Sequence, residues 1–133
     1  MRLELSAAAL ALFLMPAIAI AQSAAAPAPV AEYVAFIGEA DLHNSNGARL
    51  SAPWQVLRQD RANYHRFGIR QAGDEWDPLF ADADDRALIE TYVREGYISA
   101  QAAADIMRGG ATVVVRAYAA LPRGQWVEVD VYR

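Results

Sequence analysis

The stretch from Met1 to Ala21 constrains this chain most, because it reads as a secretory signal peptide that takes no part in the folded domain. Arg2 supplies a positive start, and Leu5 to Met15 (LSAAALALFLM) is a short apolar run. Pro16 breaks that run, and Ala19-Ile20-Ala21 matches the small-x-small pattern for cleavage. Ala17-Ile18-Ala19 offers a second site, so the mature chain is expected to begin at Gln22 or Ile20. Glu4 is unusual in such a start. The alternative is an uncleaved anchor, but the apolar run is short for about 30 Å of hydrocarbon and lacks a basic stop-transfer flank. Residues 22–133 then have to fold outside the cytoplasm, periplasmic or secreted, with no stable membrane span after cleavage. That length suits one domain with a modest core.

The chain holds no cysteine. A disulfide framework is therefore excluded even where the compartment would permit one, as are a lipid-anchored cysteine and a thiol nucleophile. Stability has to come from packing. All 12 basic residues are arginine, which the many alanines suggest is a genome-wide composition bias. The net charge is −4 and unevenly spread. Residues 49–70 carry five Arg and one Asp, whereas residues 71–105 carry nine acids and two Arg. Such opposed blocks pair within a fold or across a dimer. An acidic total argues against a nucleic-acid footprint.

Gln22 to Ala31 (QSAAAPAPVA) is an Ala/Pro-rich leader, expected to be disordered or polyproline-like, and the domain is expected over 32–133. Glu32 to Leu42 alternates as a strand, with Val34, Phe36, Ala40 and Leu42 on one face. Tyr33, Ala35, Ile37, Glu39, Asp41 and His43 fall on the other. Gly38 marks a bulge or a close approach. After the Asn44 to Gly47 turn, Ser51 and Pro53 open a helix running to Phe67 and stopping near Gly68. Trp54, Val56, Leu57, Tyr64 and Phe67 share its apolar arc, and Asp60 lies inside that arc. A second helix starts at Asp82 or Asp84 and ends at Gly96, with Leu88, Ile89, Tyr92 and Val93 inward. Ser99 caps a third, through Arg108, with Ala102, Ala103, Ile106 and Met107 inward. Ala111 to Ala119 and Gln125 to Tyr132 form a hairpin about Leu121 to Gly124. Val127, Val129 and Val131 are expected inward, and Trp126, Glu128, Asp130 and Tyr132 outward. The expected fold is α+β: a small three-stranded antiparallel sheet, one N-terminal strand plus the C-terminal hairpin, packed against three helices.

Several groupings could carry chemistry. The helices about Gly96 have the spacing of a DNA-reading pair, but the second carries one Arg and three consecutive alanines, so a plain αα-corner is preferred. Glu39, Asp41 and His43 repeat at alternate positions and form a metal half-site only if His65 joins them; a solvent-facing strand end is the simpler account. Asp74, Glu75, Asp77, Asp82, Asp84 and Asp85 crowd one stretch, yet lack the glycine of a calcium loop, and acids at a helix start need no metal. Ser45, Ser51 and Ser99 sit at turn or cap positions, and no nucleophile elbow or phosphate-cradling glycine loop occurs. Gln59 to Gly68 (QDRANYHRFG) is the densest pattern. As function it offers Arg58, Arg61, His65 and Arg66 to an anion or glycan; as structure it needs a partner for Asp60. Adjacent helical residues do not face each other, so Arg70 or Arg116 is expected in that place rather than Arg61.

Ile98-Ser99, Ala102-Ala103, Gly110, Val113 to Val115, Gly124 and Trp126-Val127-Glu128-Val129 together are similar to the helix–hairpin of PepSY-type envelope modules. The similarity covers residues 97–132 and implies a non-catalytic binding or inhibitory module. The reading that results is a small exported bacterial protein, not an enzyme, without a cofactor, that binds or modulates an envelope protein, a glycan or a small anion. The rival is a metal-binding protein or metal-dependent enzyme using His43 and His65 with Glu39 and Asp41.

Overall fold

The structure, a computed structural model, describes residues 24–133. The signal-peptide reading of residues 1–21 lies outside the described residues. Residues 24–29 are exposed and without regular structure, and the first strand, β1, covers Ala31–Ile37. A tight 3-10 turn, Glu39–Leu42, follows. Then come α1 (Pro53–Ala62) with a widened π-helical turn at Asn63–Phe67, α2 (Ala83–Ala87), α3 (Ile89–Glu95) and a two-residue β2 (Tyr97–Ile98). The chain closes with α4 (Ala100–Arg108), β3 (Ala111–Ala120) and β4 (Gly124–Tyr132).

The α+β class holds, but the sheet is four-stranded and mixed, in the order β1-β3-β4-β2. β1 and β4 flank β3 antiparallel, and β2 runs parallel to β4 through Tyr97 opposite Glu128 and Ile98 opposite Val129. Two residues are too short to show a period, so β2 leaves no trace in the hydrophobic pattern. Its place depends on Gly96: a Cβ there would lie 1.6 Å from the Val127 carbonyl oxygen, so only glycine lets the chain come this close to β4.

The helical region also departs from expectation. The single second helix is two, broken at Leu88, which is 43% exposed rather than inward, while Ile89 and Val93 stay in the core. β1 ends at Ile37, so Glu39, Asp41 and His43 do not continue its face. Phe67 is 44% exposed because the wide turn rotates less per residue than the 100° of a regular helix, so the phase lags behind a 100° wheel. Gly68, at φ 66°, ends that turn in the left-handed region that glycine tolerates. Ser51 does not cap α1; the side chain of Gln55 reaches back instead, its Oε1 accepting from the backbone N–H groups of Ser51 and Ala52. Ser99 caps α4 as expected, its Oγ accepting from Ala102 N–H at 3.0 Å.

Alternation builds the core. Tyr33, Ala35 and Ile37 of β1, Val113, Val115 and Ala117 of β3, and Val127 and Val129 of β4 point to the helices. Val56 and Leu57 of α1, Ile89 and Val93 of α3, and Ile106 of α4 meet them. Each such side chain contributes about 1.5–3 kcal/mol by leaving water. The other sheet face carries Val34, Phe36, Val114, Arg116, Tyr118, Glu128 and Asp130. Trp126 lies on this outward face yet is buried, because the Tyr118 ring stacks on it at 5.1 Å and the Arg123 guanidinium lies 4.0 Å from its ring centre.

Candidate functional site

The QDRANYHRFG segment is where the chain concentrates its buried charge. Val56, Leu57, Asp60 and Arg61 all fall on the inward side of α1, so the apolar arc carries an ion pair into the core. Asp60 is paired with Arg61, its chain neighbour, and not with Arg70 or Arg116. Arg61 Nε donates to Asp60 Oδ2 at 2.7 Å. Adjacent Cβ atoms on a helix do point apart, but the guanidinium ends a long flexible stem that folds back along the helix. Arg70 instead lies over the Tyr64 ring at 4.1 Å, and Arg116 is taken by Glu32 and Asp130.

Arg61 is fully buried and knits three segments together. Its Nη1 donates to Asp77 Oδ2 and to the Glu75 carbonyl, each at 2.9 Å, and its guanidinium stacks 4.1 Å from the Tyr33 ring centre and 4.8 Å from that of Tyr64. Asp77 Oδ2 also accepts from His65 Nε2 at 2.7 Å, while its Oδ1 accepts from the N–H groups of Leu79 and Phe80. Burial pushes the Asp77 carboxyl up, but hydrogen bonds from His65, Arg61 and Phe80 outweigh it and hold the group below the usual carboxylate range. Asp41 accepts from Gly38 N–H and from Asn63 Nδ2; burial leads, and its carboxyl sits above that range. Asp60 is raised to about 7, by burial first, with Arg61 opposing and Asp41 and Asp74 adding.

Part of the acidic stretch before α2 is spent on the edge of the sheet. β1 is an edge strand with outward N–H groups, and Glu75 Oε2 accepts from Val34 while Asp74 Oδ1 accepts from Phe36. Glu75 N–H donates to the Val34 carbonyl, so the loop finishes the edge as a partner strand would. Asp82 stands at the start of α2, and Asp84 and Asp85 lie in its first turn.

The metal candidates do not gather. His43 Nδ1 lies 3.2 Å from the Glu39 carbonyl and 3.6 Å from its carboxylate, whereas Asp41 binds Asn63 and His65 binds Asp77. Among the described residues no group of three or more His, Asp or Glu is placed to hold a metal ion. Arg58 lies over the Trp54 ring and Arg66 over the Phe67 ring, each 5.0 Å from the ring centre, while Arg61 and His65 are turned inward to Asp77. The four residues Arg58, Arg61, His65 and Arg66 thus share one helix but not one surface.

A cleft of about 220 Å³ opens elsewhere, where the β3–β4 hairpin leaves the sheet. Phe80 and Leu79 from the loop, Tyr92 from α3, Tyr118 and Trp126 from the hairpin, and Val30 at the end of the leader line it. Gln125 and Asp85 add polar groups, and Tyr92 Oη donates to Gln125 Oε1 at 2.5 Å. Alternation places Tyr118 and Trp126 together on one face, but the chain alone does not show that Phe80 and Tyr92 come to them. Among the described residues no helix is long and apolar enough to cross a membrane. Neither protein-family models, nor curated proteins, nor solved structures give a match to this chain.

Proposed function

We propose that this chain is a small exported module that binds without catalysis, and that its ligand sits in the cleft beside the turn end of the hairpin. The observation that carries this reading is the largely apolar and aromatic lining of this cleft, which lies apart from the buried charge at α1. Arg61, His65 and Asp77 are committed to one another inside the domain, while the cleft presents aromatic and apolar walls with a few polar groups. That is the composition of ligand sites in general. Asp85 is the one ionisable acid in the lining and no arginine joins it, which favours an uncharged ligand, a sugar ring or an apolar side chain of an envelope partner, over a small anion. Export rests on the signal-peptide pattern of Met1 to Ala21, and the non-catalytic reading on the engagement of His65 and Arg61 with Asp77 and Asp60 inside the domain.

The test is a titration of tryptophan fluorescence and backbone NMR shifts with neutral oligosaccharides and short apolar peptides. Perturbation centred on Trp126, Tyr118 and Tyr92, abolished in Tyr118→Ala, supports the cleft. Shifts centred on His43 or His65 on adding a divalent metal would favour the metal-binding reading instead.

A further inference from the structure

The buried cluster at α1 is short of positive charge. Three carboxylates, Asp41, Asp60 and Asp77, are enclosed around one guanidinium, Arg61. Asp77 is satisfied on both oxygens, and Asp41 takes donors from Gly38 and Asn63. Asp60 is the least satisfied: its Oδ2 takes Arg61 Nε, but its Oδ1 is buried and meets no partner among the described residues. An ionised carboxylate with a bare buried oxygen is costly, and neutralising it removes that cost.

We propose that the domain folds around a proton held on the Asp60 carboxyl, making this cluster a proton-linked clamp of α1 on β1 that tightens as pH falls below neutrality and loosens as pH rises.

The elements packed around α1 bring further titratable groups towards Asp60. The turn after β1 brings Asp41, the loop brings Asp74, Glu75 and Asp77, the wide turn brings His65, and β1 brings Tyr33, whose hydroxyl is also without a partner. Arg86 of α2 spends Nη1 on the carbonyls of Phe80 and Ala81. Glu90 and Arg94 of α3 pair at the surface, and Asp105 of α4 holds Arg133 and Arg108. Among the described residues, then, no cation beyond Arg61 reaches Asp60. The sign follows from the raised carboxyl. An Asp carboxyl that titrates at 3.8 in the unfolded chain is pushed to about 7 in the fold, by burial above all. Its contribution is therefore complete below 3.8 and is lost as pH rises through about 7. Asp77 acts in the opposite sense and sets the acid limit.

The experiment is a ¹³C NMR titration of the aspartate carboxyl carbons in the purified protein, with thermal melts of wild type and Asp60→Asn. Asp60 is expected to inflect at least about two pH units above Asp77. Asn copies the neutral carboxyl, so Asp60→Asn should melt at or above wild type at about pH 8 and show a flatter Tm profile from there down to about pH 5. An Asp60 inflection below about pH 5 would overturn the proposal, as would a variant that folds but melts well below wild type at about pH 8. If Asp60→Asn does not fold, the wild-type inflection decides alone.

Discussion

Arg61 and Arg116 perform the same chemistry in two places. Each bridges two carboxylates: Arg61 joins Asp60 and Asp77 beneath α1, and Arg116 joins Glu32 and Asp130 across the open face of the sheet. The distances are alike, between 2.5 and 2.9 Å. The surroundings are not. The Arg61 side chain and both its partners are enclosed, whereas Arg116 is 30% exposed and its partners about half exposed. Water and salt screen the second triad and leave the first unscreened. Burial, rather than geometry, therefore decides which arginine the fold depends on.

The largest effect should come from breaking the inner triad. Arg61→Ala leaves the Asp77 carboxylate enclosed without its cation and Asp60 Oδ2 without its donor, and should cost about 3–5 kcal/mol, a large share of a small domain's stability. Urea unfolding measures it; a loss below about 1 kcal/mol would mean that the cluster relaxes and hydrates. A smaller loss is expected for Asp77→Asn, about 1.5–3 kcal/mol at neutral pH, because a charged acceptor is replaced by a neutral one. Its pH profile sharpens the point. Asp77 is held below the ordinary 3.8, so its stabilisation is present above that value and is lost as pH falls through the lower folded value. Wild type should weaken on acidification below about pH 4, and Asp77→Asn should lack that part of the slope. Arg116→Ala should be the mildest, at most about 1 kcal/mol, and in about 1 M salt the difference from wild type should nearly vanish. An Arg116 effect equal to that of Arg61 would end the distinction between the two triads.

Much of the fold was legible where neighbours three or four residues apart set the structure. The Ser99 cap, the alternation of Val127 and Val129, and the burial of Asp60 on the apolar arc of α1 all follow from local pattern. The break at Leu88 was not, because α2 and α3 each present a helical pattern and only their packing separates them. The candidate site was half legible. The segment around Asp60 stood out, but its partner was misplaced, and the roles of Asp74, Glu75 and Asp77 required contacts spanning many residues. The cleft was hidden for the same reason, since Phe80, Tyr92 and Trp126 come from three separate elements.

The sequence by itself determined that this is a cysteine-free α+β chain held by packing, with a hairpin at its end and an acid set into a helix's apolar face. Tertiary structure decided which cation meets that acid, that a two-residue strand extends the sheet beyond Gly96, and that acids before α2 finish the edge of β1. Periodicity records only how a segment divides its own residues between core and water. Which distant group satisfies a buried charge or a bare strand edge depends on chain segments brought together in space, and short-range spacing carries no record of that.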